Sequence, residues 1–198
     1  MDDGPAIARA GSYLPRFRVD VGRRRVVVRN GDEDTLTLAV EAAQDCLSGA
    51  DVSVDQLQLA VARPDLVDGP QVEMLREALG LPAGTATMTT AGDALAGLSA
   101  LFAAQDAVAA GRAGSVLVIA SEPGDGVRVG AASVALLVTR PAGAPAIRLL
   151  GHRAVGDVVY GNWVDRAGDR HQGDGRYLEH RLTALASRAV AELRAAVA

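Results

Sequence analysis

Ala94-Leu95-Ala96-Gly97-Leu98-Ser99-Ala100-Leu101-Phe102-Ala103-Ala104-Gln105-Asp106-Ala107-Val108-Ala109-Ala110 carries no charge before Asp106 and is apolar around nearly its whole circumference. An amphipathic surface helix shows one apolar stripe; a helix apolar all round has to be covered on both sides. Each large apolar side chain left in water forfeits about 1.5–3 kcal/mol of burial. One sheet covers one side only, so this helix predicts a second layer that the rest of the chain does not obviously encode. The same residues also allow an alanine-rich helix left half in water, since single exposed alanines are ordinary.

Outward from that helix, strands and helices alternate. Ala6 to Leu14 reads as a strand ended by Pro15, and Arg23 to Val28 as a short second segment. Asp32 or Asp34 caps a helix with Leu36, Ala39, Val40, Ala43 and Leu47 on one face, stopped by Gly49. Leu57–Ala62 is a buried strand, Gln71–Leu79 a helix closed by Gly80 and Pro82, and Thr85–Thr90 a β-branched strand. After the long helix come strands at Ser115–Ala120, Ala132–Thr139 and Pro145–Leu150, the last two joined by a short turn that suggests antiparallel pairing. The order predicts an α/β fold: a mixed, mainly parallel sheet (β-α-β-α-β-α-β-β) with helices on both faces. Residues 1–151 form this domain, and residues 152–198 a polar linker followed by an amphipathic helix through Leu178, Leu182, Leu185, Ala189 and Leu193.

Composition narrows the chemistry. The chain has 198 residues, 49% hydrophobic and 22% charged, the composition of a folded domain. All 20 basic residues are arginine. Without lysine there is no Schiff base and no phosphate-binding loop of the Walker type. Six aromatic residues and a net charge of −4 argue against nucleic acid as a partner. Cys46 is the only cysteine, which excludes an intrachain disulfide and a thiolate-rich zinc site; no metal is expected. The acidic start at Asp2-Asp3 and the absence of an apolar run of about 20 residues predict a cytoplasmic protein with no membrane partner.

Several motifs, in order, resemble the N-terminal half of the thiolase superfamily, in particular its ketoacyl-synthase III and hydroxymethylglutaryl-CoA synthase-like branches. They are Ile7-Ala8-Arg9-Ala10-Gly11-Ser12-Tyr13-Leu14-Pro15, Asp32-Glu33-Asp34-Thr35 with Leu38-Ala39, Leu79-Gly80-Leu81-Pro82, and Ala109-Ala110-Gly111-Arg112-Ala113 with Val116-Leu117-Val118-Ile119-Ala120-Ser121-Glu122. The resemblance implies half of a fold built from two similar halves stacked as five layers. In active members a cysteine opens the long helix, where unpaired amides and the positive end of the helix stabilise a thiolate. Laid on that pattern, Ala94 takes the cysteine position, and no catalytic residue is expected in this chain. The resemblance implies that the family's histidine and its asparagine or second histidine come from the second half.

The remaining candidates are few. Asp93 reads first as the helix cap; with Thr90 it is the substrate-binding candidate, no base standing nearby to activate a threonine. Cys46 reads as a small buried residue, His152, His171 and His180 as solvated or locally bonded, and Asp65 as a displaced version of the family's glutamate. The glycines of Gly124-Asp125-Gly126 precede a strand, not a helix, and read as a turn rather than a dinucleotide loop. Superfamily dimers pair through the strand before the long helix, so the resemblance places an interface on Thr85, Thr87, Met88 and Thr89, extended by Leu95, Leu98, Leu101 and Phe102. The expected role is a catalytically inactive subunit that joins a ketosynthase- or thiolase-type partner, or itself, as scaffold or modulator. The alternatives are an essential part of a split acyltransferase, with the partner supplying the catalytic residues, and an acyl-thioester binding module. No cofactor is expected beyond coenzyme A or an acyl-carrier thioester as ligand.

Overall fold

The computed structural model describes residues 4–64, 69–92, 94–126, 129–140, 147–156, 162–164 and 169–197. The chain divides into two compact units, Met1–Leu149 and Leu150–Ala198. In the first unit the elements are β1 (Ala6–Tyr13), β2 (Phe17–Val21), β3 (Arg24–Val28), α1 (Thr35–Leu47), β4 (Gln56–Val61), α2 (Gln71–Ala78), β5 (Ala86–Ala91), α3 (Ala96–Ala109), β6 (Ser115–Glu122), β7 (Ala132–Thr139) and β8 (Ile147–Arg148). The second unit holds a short antiparallel ladder, β9 (Asn162–Val164) with β10 (Arg170–Gln172), and the long helix α4 (Gly175–Val197).

Six strands make one sheet in the order β5-β4-β6-β7-β1-β8. The mixed α/β architecture is the expected one, with a smaller parallel share: β4 runs parallel to β5 and β6, whereas β6–β7, β7–β1 and β1–β8 are antiparallel. Only strands joined through helices α2 and α3 are parallel, because a crossover of that length is what returns the chain to the same end of the sheet. The expected pairing of the last two strands is not formed. β8 pairs with β1, Ala6 opposite Arg148, and β1 separates it from β7. The sequence reading also missed β2: the stretch before Gly22 pairs with β3 in a separate two-stranded ribbon.

The two faces of the sheet are covered differently. On one face α1 and α2 pack Ala39, Ala42, Ala43, Cys46, Val72 and Leu75 against Leu57, Leu59, Val61, Leu117, Ile119 and Leu137. Asp34 caps α1 as expected: its carboxylate accepts from the Thr37 N–H at 2.8 Å, and the Thr37 hydroxyl accepts from the Asp34 N–H at 2.6 Å. Gly11 on β1 lets α1 sit almost on the strand, since a Cβ there would lie 2.2 Å from the backbone nitrogen of Cys46. On the other face α3 packs Ala96, Ala100, Ala104 and Val108 against Ala60, Val116, Val118 and Val138. Neither α1 nor α3 has a basic residue in its last turn. Arginines from the sheet side supply the missing cations. Arg9 donates to the carbonyls of Cys46 and Ser48 at 2.7 and 2.6 Å, and Arg140 to that of Ala109 at 2.9 Å.

Candidate functional site

The parallel strands end together beneath the start of α3. Thr90 on β5, Ala60 on β4 and Ala120 on β6 lie side by side in register. Small residues are required here because the helix comes down onto them: a Cβ built on Gly97 would stand 3.2 Å from the Cβ of Ala120. α3 starts later than the sequence suggests. Its N-cap is Leu95, with no side-chain cap; the expected cap, Asp93, lies outside the described residues. Ala94 precedes the cap and is exposed. From Ala94 to Leu98 the chain carries neither thiol nor hydroxyl.

Two nearby serine hydroxyls are committed to the fold. Ser121 donates to the carbonyl of Thr35 at 2.8 Å and Ser133 to that of Ala120 at 3.2 Å, tying α1 and β7 to β6. Glu122 accepts from the Gly124 N–H at 2.9 Å, and Asp125 accepts from the Val129 N–H at 2.9 Å. With positive φ at Gly124 and Gly126, that segment is a turn leading into β7, as read from the sequence. Cys46 is fully buried in α1, and desolvation pushes its thiol above the ordinary range, away from thiolate chemistry. Among the described residues no group of histidine, cysteine and carboxylates is arranged to hold a metal ion. His152 is half-buried, His171 lies on β10 and His180 on α4, all in the second unit. Asp65 lies outside the described residues.

The proposed interface residues fall on two surfaces. Among the described residues β5 is an edge of the six-stranded sheet, paired with β4 alone. Thr89 is exposed, Thr87, Met88 and Thr90 are half-buried, and Thr85 is buried, its hydroxyl donating to the carbonyl of Val54 at 3.1 Å. Thr87 turns the other way from α3 and donates to Glu73 of α2 at 2.5 Å. That bond, with Arg76 donating at 3.0 Å, holds the Glu73 carboxyl below its ordinary pKa. Thr87→Val is expected to return the Glu73 titration midpoint toward the ordinary value of about 4.3, read by NMR. The contribution of this depressed carboxyl to stability is present above its unfolded pKa and is lost as pH falls through the folded one.

α3 presents the second surface. Ala96, Ala100, Ala104, Ala107 and Val108 are buried on the sheet side with Leu101 partly packed against the same layer, whereas Leu95 at the N-cap is 61% and Leu98 51% exposed and Phe102 is half-buried. A feature that sequence reasoning missed is a cavity of about 600 Å³ lined by Tyr13, Phe17, Asn30, Glu33, Thr37 and Glu41. There the Tyr13 hydroxyl donates to Glu33 at 2.5 Å, and that bond to a carboxylate pushes its pKa up. No periodicity announces such a pocket, because it depends on bringing Tyr13 and Phe17 beside Thr37 and Glu41 of α1.

No family profile matches the sequence, and no curated protein does. Solved structures do match. A β-ketoacyl-[acyl carrier protein] synthase III of Thermus thermophilus is 23% identical, covering 70% of this chain and 52% of that one, with a TM-score of 0.61. The 3-oxoacyl-[acyl-carrier-protein] synthase III of Aquifex aeolicus is 20% identical, covering 88% and 66%, at 0.72. OleA of Xanthomonas campestris, determined with bound lauric acid and lauroyl-CoA, is 14% identical, covering 96% and 72%, at 0.79. The fold is therefore thiolase-like, and the chain spans about half the length of the first of these structures.

Proposed function

We propose that the chain is a catalytically silent thiolase-like subunit that joins a ketosynthase- or thiolase-type protein as scaffold or modulator of acyl-thioester chemistry. The observation that carries this reading is the orientation of α3, whose small residues face the sheet while Leu95 and Leu98 stand in water. A helix shaped only to cover a sheet places its large side chains inward. The open edge of β5 supports the same reading, because it offers a row of backbone groups for strand addition beside that helix. The lack of a thiol from Ala94 to Leu98 supports a silent role. Light scattering behind size-exclusion chromatography tests the proposal, run on the chain alone and with ketosynthase-type proteins encoded beside it. A stable complex, with no acyl-CoA turnover by the isolated chain, is expected. Turnover by the isolated chain, or failure to join any such protein, overturns the reading.

A second reading, an essential part of a split acyltransferase, draws on the likeness to the structure determined with lauroyl-CoA. It is preferred if the assembled pair condenses acyl-CoA, neither chain does so alone, and Asp93→Ala abolishes turnover without dissociating the pair.

A further inference from the structure

We infer that β2 is a self-complementary edge through which two copies of this chain pair. β2 reads Phe17-Arg18-Val19-Asp20-Val21, and among the described residues its only strand partner is β3. Phe17 and Val19 are 55% and 45% exposed, and Arg18 and Asp20 are exposed as well. An antiparallel second copy centred on Val19 sets Phe17 opposite the partner's Val21, Val19 opposite the partner's Val19, and Arg18 opposite the partner's Asp20. The Phe17–Val21 and Arg18–Asp20 contacts are then each made twice about a two-fold axis on which the Val19–Val19 contact sits, as an isologous interface requires. Side chains alternate along a strand, so the apolar contacts fall on one face of the joined ribbon and both charge pairs on the other.

The ribbon is ready to accept such a strand. It turns through Gly22 and Arg23, with Gly22 at φ +61°, which makes Val21 and Arg24 the first hydrogen-bonded pair. The alternation of an antiparallel ladder then uses Val19 and Phe17 toward β3 and leaves the N–H and C=O groups of Arg18 and Asp20 pointing outward. These are the two residues that would face each other across the new ladder. Asp20 already meets Arg25 of β3 at 3.6 Å, both side chains largely in water. A second copy adds Arg18 on its other side. Arg18 spends one guanidinium nitrogen on the carbonyls of Pro15 and, at 2.9 Å, Phe17, and its other guanidinium nitrogens keep further donors. A charge ladder Arg25, Asp20, Arg18 thus crosses the seam in both directions. With a five-residue strand on each side the contact is small, so the association is weak and concentration-dependent.

The test is a charge swap in the full chain, read by sedimentation equilibrium over a wide concentration range. Wild type is expected to show a mass that rises with concentration. Arg18→Asp and Asp20→Arg each bring like charges together and are expected to weaken self-association at least about tenfold. An equimolar mixture of the two variants, and the double variant carrying both changes, regain it, because opposite charges again face each other. Two results overturn the inference: wild type that stays monomeric throughout, or single variants that associate as wild type does. The latter would assign self-association to another surface such as β5. Binding of a ketosynthase-type partner through β5 and α3 is unaffected by either change, so the two proposals fail separately.

Discussion

Gly11→Ala is expected to lower the stability of the first unit by about 3 kcal/mol, at the upper end of what overpacking costs. The position has ordinary backbone angles, so the effect is not one of glycine's conformational freedom. It is one of space. A Cβ at residue 11 would lie 2.2 Å from the nitrogen and 2.7 Å from the Cα of Cys46, and 2.5 Å from the carbonyl oxygen of Ala42. These are backbone atoms of α1, so no rotamer change relieves the clash, and the helix has to lift off β1. Lifting it opens the layer where Ala39, Ala42, Ala43 and Cys46 pack against the sheet, and dispersion contacts in a close-packed core fall steeply with separation. Urea unfolding followed by circular dichroism measures the loss. Gly31→Ala, at a position with nothing within 4 Å and no positive φ, is the control and is expected to be near neutral. A Gly11→Ala midpoint close to that of the control would mean that α1 does not rest on β1 as described.

The second large effect concerns association rather than folding. Leu98→Asp is expected to weaken binding of a ketosynthase-type partner by about 100-fold, equivalent to ~2.7 kcal/mol. Leu98 is 51% exposed, so a carboxylate there stays hydrated in the free chain, and folding stability should move by no more than about 0.5 kcal/mol. In a complex the same carboxylate would be buried against an apolar surface with no cation to meet it, which is where the cost arises. Ala100→Asp, at a fully buried position on the sheet-facing side, is expected to unfold the chain instead. Titration calorimetry and urea unfolding on the same samples separate the two outcomes. Unchanged affinity in Leu98→Asp would remove this face of α3 from the interface.

Much of this was legible in the residues. The periodicity of 33–48, the turn residues at Gly80 and Pro82 and the β-branched stretch at 85–90 placed α1, α2 and β5 to within a residue or two, because local propensity and local capping decide such segments. The lack of a thiol from Ala94 to Leu98 was equally plain, since a thiol is either written in that stretch or it is not. What escaped was non-local. β2 alternates apolar and charged residues over only five positions, too short a run to stand out beside the arginines that follow. β8 went to β1 rather than β7 because the partner of a strand is chosen by which edge is open after the others have assembled.

The sequence by itself determined the kind of elements, their order, the absence of lysine and of a second cysteine, and the greasy circumference of residues 94–110, all of which reside in side-chain identity and short-range spacing. Only the tertiary structure decided which side of that helix is spent. Burial belongs to the assembled layers rather than to a residue, and packing Ala96, Ala100, Ala104 and Val108 against β4, β6 and β7 is what leaves Leu95 and Leu98 facing outward.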